Sequence, residues 1–324
     1  MRKILITGAA GYIGSVLTRQ LLSLGYFVKG IDALFFGGES LIDVINHPNF
    51  EFINCDIRDT NTVKKKLEDV TDIVHLAAIV GDPACKKQPQ LAEEINWEAS
   101  KQLFDVCNNN FKIDKFIFAS TCSNYGKMKN TEYVSEESEL RPISLYAELK
   151  VKFEKYILST PLKFKINPII LRFATVYGIS ARMRFDLTVN EFTRDAICRK
   201  ELLIFGEQFW RPYCHVYDIA RACVLALNYC NKNNCCNIYN VGDTSENYQK
   251  KMIAEEIMKI APDTKINYIK KDEDPRDYKV DFSKIKRELN FKITKKVPDG
   301  VFEISQLIRK NILLDPYSSK YSNI

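Results

Sequence analysis

Short unbroken apolar runs alternate along the chain with stretches whose apolar residues recur at helical spacing. Ile4-Leu5-Ile6 is the first such run and reads as a buried parallel strand; Ser15 to Leu24 follows with helical spacing. Phe27 to Asp32, Phe50 to Cys55, Asp72 to Ala78 and Phe116 to Ser120 repeat the strand pattern. Helices are predicted over Leu41 to Asn46, Thr60 to Asp69, Glu93 to Asn109 and from Tyr146 onward. A further buried strand is predicted within Ile166 to Tyr177, as Pro168-Ile-Ile-Leu-Arg-Phe. Strands alternating with helices give an α/β fold with a parallel sheet. At 324 residues the chain can build a large domain of this kind and a second lobe.

The first strand runs into Thr7-Gly8-Ala9-Ala10-Gly11-Tyr12-Ile13-Gly14. In such a strand–turn–helix opening Gly8 lets the chain turn sharply, and Gly11 lets the backbone approach a pyrophosphate. Gly14 lets the helix pack tightly on the strand. The free N–H groups of the helix start would meet the phosphates. A glycine triplet also serves ordinary tight turns, and the second strand changes the picture. It ends in Asp32, where the dinucleotide fingerprint places a carboxylate that accepts the ribose hydroxyls and repels a 2′-phosphate. NAD is therefore expected over NADP, with a plain turn residue as the alternative. Tyr12 and Ile13 join the cofactor-binding residues, as do Asp56 and Ile57 after the third strand. Asp56 could accept from the adenine amino group or cap the following helix, and both readings stay open.

Composition is ordinary for a globular protein, with 46% apolar and 27% charged residues. The net charge of +6 is spread along the chain, and Lys64-Lys65-Lys66 reads as a solvated helix face. A polyanionic small molecule such as a nucleotide fits this excess, and no nucleic-acid partner is expected. The ten cysteines include no C-x-x-C pair, and several sit in apolar or helical stretches as small core residues. With three histidines, no metal site is expected. The first strand starts almost at Met1 and no apolar run reaches a membrane-spanning length. A reduced, cytoplasmic, soluble protein with no membrane partner is the expectation.

Candidate chemistry gathers in the middle of the chain. Thr121 is expected just past the fifth strand, and Tyr146-Ala-Glu-Leu-Lys150 opens a helix after the Pro142 loop. Tyr146 and Lys150 are four apart and share a helical face, so an ammonium can lie beneath a phenol. A free tyrosine titrates near 10, and lowering that by about three units takes roughly 4 kcal/mol. A close lysine and an oxidised nicotinamide ring can supply it in a water-poor site. His75 is expected to be a satisfied core histidine.

Together these residues resemble the extended short-chain dehydrogenase/reductases that act on nucleotide sugars, over nearly the whole chain. Gly8, Gly11 and Gly14 match the family's glycine loop, Asp32 its ribose ligand, and Ala77-Ala78 its nicotinamide-side strand end. Thr121, Tyr146 and Lys150 match its catalytic residues. The resemblance implies a Rossmann-type doubly wound parallel sheet with a smaller α/β substrate-binding lobe. It implies that Tyr146 removes a sugar hydroxyl proton, Thr121 shares a hydrogen bond with the reacting oxygen, and Lys150 also holds the nicotinamide ribose. Arg182, Arg184 and Asn190 precede a helix; Arg184 and Asn190 are expected at the substrate, with Arg211 and Arg276 as diphosphate ligands. His215 is expected to support its strand. Tyr239-Asn-Val-Gly242 resembles the last core strand and turn. The NAD-binding domain is set at 1–171, with segments near 214–242 returning to it, and the nucleotide-sugar lobe at 172–324. The tail after Leu313 is expected to pack loosely. Helices Glu93–Asn109 and Tyr146–Leu158 correspond to those that pair as four helices in family dimers, which implies a homodimer.

Departures from the family pattern bear on the reaction. Sugar 4,6-dehydratases carry an acid and a base directly after the catalytic Thr, where this chain has Cys122 and Ser123, so water elimination lacks its general acid. A decarboxylating member would likewise want Glu at Ser123. A 3,5-epimerase/4-reductase would need a catalytic Cys and His; Cys122 has no evident partner and reads as a structural thiol. Two completions of chemistry at C4 remain: 4-epimerisation, or net oxidation to a 4-keto sugar. Val80-Gly-Asp-Pro-Ala-Cys-Lys86-Lys87, Arg182-Met-Arg-Phe-Asp-Leu187 and Glu139-Leu-Arg-Pro-Ile-Ser144 most resemble a subgroup that contains a GDP-heptose 4-dehydrogenase of bacterial capsule synthesis. That makes the 4-dehydrogenase the leading expectation and a 4-epimerase the alternative. A non-catalytic NAD sensor is a third reading, set against the presence of Thr121, Tyr146 and Lys150.

Overall fold

The computed structural model describes residues 2–110, 112–127, 133–163, 166–229, 236–269 and 276–323. Asp274 and Pro275, which the sequence groups with Arg276, lie outside these residues, as do Cys230 and Cys235. In chain order the first half holds β1 (Lys3–Thr7), α1 (Tyr12–Ser23), β2 (Phe27–Asp32), β3 (Phe50–Asn54), α2 (Thr60–Lys66) and β4 (Asp72–His75). Then come α3 (Asp82–Lys87), α4 (Pro89–Glu93), α5 (Ser100–Asn108), β5 (Lys115–Thr121), β6 (Tyr133–Val134) and α6 (Leu145–Ser159). The second half holds β7 (Asn167–Phe173), β8 (Thr175–Tyr177), α7 (Thr188–Arg199), β9 (Glu201–Phe205), β10 (Trp210–His215) and α8 (Val216–Asn228). It ends with β11 (Asn237–Val241), β12 (Asn247–Gln249), α9 (Lys250–Met258), β13 (Lys265–Ile269), β14 (Lys279–Val280), α10 (Ser283–Leu289) and α11 (Val297–Arg309).

Seven parallel strands form the central sheet in the order β11-β7-β5-β4-β1-β2-β3. This is a Rossmann-type doubly wound sheet whose chain direction reverses between β1 and β4. A crevice therefore opens at the carboxyl ends of those two strands. Successive side chains of a strand alternate between faces: Ile4 and Ile6 enter one core with Leu17 and Leu21, and Leu5 enters the opposite core with Phe104 and Phe153. Because both faces are covered, the strands read as continuous apolar runs. A third core, with Val189, Phe192, Ile204, Ile253, Val301 and Ile304, joins α7, α9 and α11 to β9. Among the described residues no helix is long and apolar enough to cross a membrane.

Several local expectations are corrected. The stretch 41–46 forms a 3₁₀ turn at Glu39–Leu41 followed by turns, since Pro48 restricts His47 and leaves too little chain for a helix. The long helix over 93–109 is three joined pieces with a π turn at Glu94–Ala99, where Asn96 bonds both the N–H and the carbonyl of Ile79. The strand over 72–78 stops at His75, and Thr121 is the last residue of β5 rather than the residue after it. The 166–177 strand splits, with β8 leaving the central sheet to pair with β10. The tail after Leu313 is largely exposed as far as Lys320, as expected, but its end is anchored: Tyr321 stacks edge-on against Phe185, and its carbonyl accepts from the Phe185 N–H at 2.8 Å.

Candidate active site

The crevice at the strand ends is lined from one side by the glycine turn. Gly8 has φ +78°, and a Cβ there would stand 2.9 Å from Ala77 N. A Cβ on Gly14 would stand 1.9 Å from the Gly8 carbonyl, so α1 could not approach β1 with any other residue. Gly11 caps α1 without a side-chain bond, which leaves the first N–H groups of the helix for a ligand. Asp32, at the end of β2, accepts from Ala10 N at 2.9 Å and Leu34 N at 2.8 Å and keeps lone pairs for further donors. Burial lifts its pKa; those two N–H groups and Arg182 oppose the lift. The cradle thus fits a dinucleotide diphosphate and a ribose diol.

Gly8, Gly11, Tyr12, Ile13, Gly14, Asp32, Asp56, Ile57, Ala77, Ala78, Thr121, Tyr146, Lys150, Arg184 and Arg276 all line this one crevice. Some contribute differently than their types suggest. The Tyr12 hydroxyl donates to Gly178 O at 2.5 Å and so ties α1 to the loop after β8. Asp56 does not cap α2; Asp59 does, accepting from Thr62 N, while Asp56 pairs with Arg58. Burial raises the Asp56 pKa and the Arg58 bonds bring it below the usual value.

Two expected substrate ligands stand elsewhere. Asn190 is fully buried, accepts from Gly178 N at 2.9 Å and donates to Arg184 O at 2.8 Å and the Tyr12 hydroxyl at 3.1 Å. Its amide groups are engaged inside the protein, shaping the 178–184 loop. Arg211 is not among the lining residues; it donates to Trp210 O at 2.7 Å, with its guanidinium 5.5 Å from the ring centre of Tyr278, which does line the crevice. Arg276 lines the crevice but also pairs with Asp82 at 3.1 Å, which joins the segment before β14 to the start of α3.

Thr121 Oγ accepts from Ser123 N at 3.1 Å, which leaves its proton for the crevice. Lys150 Nζ donates to Ala119 O at 2.8 Å and lies 5.8 Å from the Tyr146 ring centre. The expected lysine-driven fall of the tyrosine pKa is not what the protein alone produces. Burial raises Tyr146, with Cys85 and Asp82 adding to the rise, and Arg184 is the cation that opposes it. Lys150 turns to the strand carbonyl and is itself desolvated, its pKa falling from 10.5 to about 8. In the unfolded chain it holds its proton to about 10.4. The native state binds fewer protons between those values, so this group's contribution to stability rises with pH there. Between pH 8 and 10 the wild type should gain about 2 kcal/mol relative to Lys150→Met in urea unfolding. Parallel pH profiles for the two proteins would contradict this.

The neighbouring histidines and cysteine have structural partners. His75 bridges Thr7 Oγ1 (2.7 Å) and Ser100 Oγ (2.9 Å), and burial pushes its pKa down to about 3. His215 caps α8 and meets Glu303 at 2.5 Å; burial opposes ionisation of Glu303, but His215 and Lys295 hold its pKa down to about 2. Cys122 points away to Arg172 O at 3.2 Å, and burial pushes its thiol far up. Sequence reasoning missed Phe36, Ser123, Leu187 and Asn323 as lining residues and assigned no role to Arg182. Among the described residues no group of three or more His, Cys, Asp or Glu could hold a metal ion.

The model of the NAD dependent epimerase/dehydratase family matches residues 4–242. An uncharacterised UDP-glucose epimerase of Bacillus subtilis, YtcB, is 35% identical over 237 residues, covering 69% of this chain and 72% of that one. A UDP-glucose 4-epimerase of Lactobacillus helveticus is 29% identical over 279 residues, covering 80% and 81%. The crystal structure of a UDP-glucuronic acid 4-epimerase from Bacillus cereus in complex with NAD superimposes with a TM-score of 0.82. It is 32% identical, with 94% of this chain and 99% of that one covered.

Proposed function

The chain belongs to the NAD-dependent epimerase/dehydratase family, and on that premise we propose that it oxidises the C4 hydroxyl of a nucleotide-diphosphate sugar and returns the hydride to complete a 4-epimerisation. Its cofactor is NAD. The observation that carries the reading is the meeting of Thr121, Tyr146 and Lys150 with the glycine turn and Asp32 in one crevice. Tyr146 takes the C4 hydroxyl proton, and Thr121 donates a hydrogen bond to the same oxygen. Bound NAD supplies the acceptor for the C4 hydride and a cationic ring that favours the phenolate. Lys150, fixed by Ala119 O, holds the nicotinamide ribose, and Arg184 adds positive charge at the phenol. Arg276 takes the sugar-nucleotide diphosphate in exchange for Asp82.

Ser123 offers no carboxylate and Cys122 faces the core, which disfavours dehydration. The epimerase completion is supported by relatives named as UDP-sugar 4-epimerases. A second reading, net 4-dehydrogenation of a GDP-heptose for bacterial surface polysaccharide, keeps one specific support. Val80, Arg182, Arg184 and Leu187, from the stretches that carry that resemblance, face this crevice. NADH absorbance and product analysis on UDP-glucose, UDP-glucuronate and GDP-heptose separate the two. An epimerase returns a product of unchanged mass with inverted C4; a dehydrogenase returns one short of two hydrogens while NADH accumulates or passes its hydride to an added keto acid.

A reduced cytoplasmic setting suits the thiols, of which Cys85, Cys107, Cys122, Cys214 and Cys223 are buried as unpaired core residues. We also propose a homodimer through the π turn at Glu94–Ala99, α5 and α6, which carry the partly exposed Trp97 and Tyr156 and the half-exposed Leu158. Light scattering at micromolar concentration should give twice the chain mass, and Leu158→Glu should lower it; a monomeric wild type would contradict this.

A further inference from the structure

Arg182 is 7% exposed, and its Nε has no hydrogen-bond partner. One terminal nitrogen donates to Ser322 O at 3.1 Å, and the guanidinium lies 4.4 Å from the centre of the Phe36 ring, on the loop that follows Asp32. Its backbone N–H reaches Ser180 Oγ at 3.3 Å, and that hydroxyl donates to Tyr12 O at 2.7 Å. The side chain therefore lines the crevice beside the loop that follows Asp32, and its backbone is tied through Ser180 to the first residue of α1. Burial and the nearby Arg184 lower its pKa to about 10, against the pull of Asp186 and Asp32. A buried guanidinium with an unused donor is costly unless an anion completes it.

The carboxy-terminal segment holds this arginine. The Tyr317 hydroxyl donates to Asp195 on α7 at 2.8 Å, Tyr321 packs on Phe185, and Asn323 N donates to Asp186 at 3.3 Å. Asp186 in turn grips Arg184 with two bonds of 2.9 and 2.6 Å. Asn323 lines the crevice, and its buried Oδ1 also lacks a partner.

We propose that Arg182, held in place by the strap from Ser319 to Asn323, is a ligand of the diphosphate of the bound dinucleotide, and that Asn323 completes the same wall. The inference rests on NAD as cofactor and is independent of which sugar is processed. A planar guanidinium donates two parallel bonds to phosphate oxygens, which answers the unused Nε. The crevice also takes the nucleotide sugar, whose diphosphate is the competing occupant.

The test measures NAD affinity by isothermal titration on the cofactor-stripped protein, for wild type, Arg182→Leu, Asn323→Ala and a chain ending at Ser318. UDP and GDP are titrated in parallel. Arg182→Leu and the truncation should each weaken NAD at least about tenfold. Their combination should be little worse than either, because the strap acts through the arginine. Asn323→Ala should weaken NAD a few-fold with an unchanged unfolding midpoint, which keeps the test open should the truncation fold poorly. UDP and GDP affinities should stay within twofold. NAD affinity unchanged in Arg182→Leu would overturn the proposal, as would a loss confined to UDP or GDP, which would move Arg182 to the sugar nucleotide.

Discussion

Tyr146→Phe should lower kcat by about 10³-fold while the protein still binds NAD, as expected for the loss of a group that moves a proton in the transition state. The substitution removes one oxygen and keeps the ring that packs at the start of α6 and contributes to the core behind it. Asp32, the glycine turn and Lys150 are untouched, so cofactor affinity should change by less than about threefold. Burial alone raises the phenol, and the cations around it set how far it comes back. Arg184→Gln, which removes one of these, should therefore move the alkaline-going rise of kcat to higher pH. A Tyr146→Phe enzyme with near-normal turnover would remove Tyr146 as the base, and turnover lost together with NAD binding would make its role structural.

The second large effect is on stability. Glu154 on α6 and Arg172 on β7 form an ion pair with both side chains almost wholly buried, at 2.7 Å. Arg172 also reaches the Tyr125 hydroxyl at 3.0 Å, and Glu154 also accepts from Asn124 at 2.9 Å and from the Ser120 hydroxyl. This cluster fixes the carboxyl end of β5 against α6, the two elements that carry Thr121 and Tyr146. Burial lowers the Arg172 pKa, and Glu154 with Tyr125 more than reverses that, so the guanidinium keeps its charge. Glu154→Gln leaves a buried guanidinium without its counter-charge and should cost about 3–5 kcal/mol in urea unfolding. The double replacement Glu154→Leu with Arg172→Met should be far milder than either single change, because no charge is left unpaired. Equal losses in the single and double variants would show that the pair itself, rather than an orphaned charge, carries the stability.

What the sequence reveals follows from how local each feature is. The glycine turn, Asp32 and the Tyr146–Lys150 spacing are set within a few residues, and all of them line one crevice. The central strands are legible because both faces are buried and most of their positions are apolar. Arg182 is illegible: the Ser322 carbonyl that holds it is 140 residues away, and the tail that brings it is polar. Asn190 looks like a ligand by type and position, yet its partners are a loop and the Tyr12 hydroxyl 178 residues away. Asp56 could cap the following helix as far as its position in the sequence goes, and only the turn geometry gives that role to Asp59 instead. The direction of the Tyr146 shift depends on burial, which no spacing reveals. Subgroup resemblance in three short stretches points to a GDP-heptose, whereas relatives matched over most of the chain bear UDP-sugar names.

Hydride transfer at C4 is tested most directly with nucleotide sugars carrying deuterium at C4. Turnover should slow by a primary isotope effect. The label should be found on the nicotinamide ring after quenching, or back at C4 of an inverted product when the cycle closes. Substrates converted with the C4 deuterium undisturbed, and with no isotope effect, would contradict C4 oxidation whichever sugar proves to be the natural one.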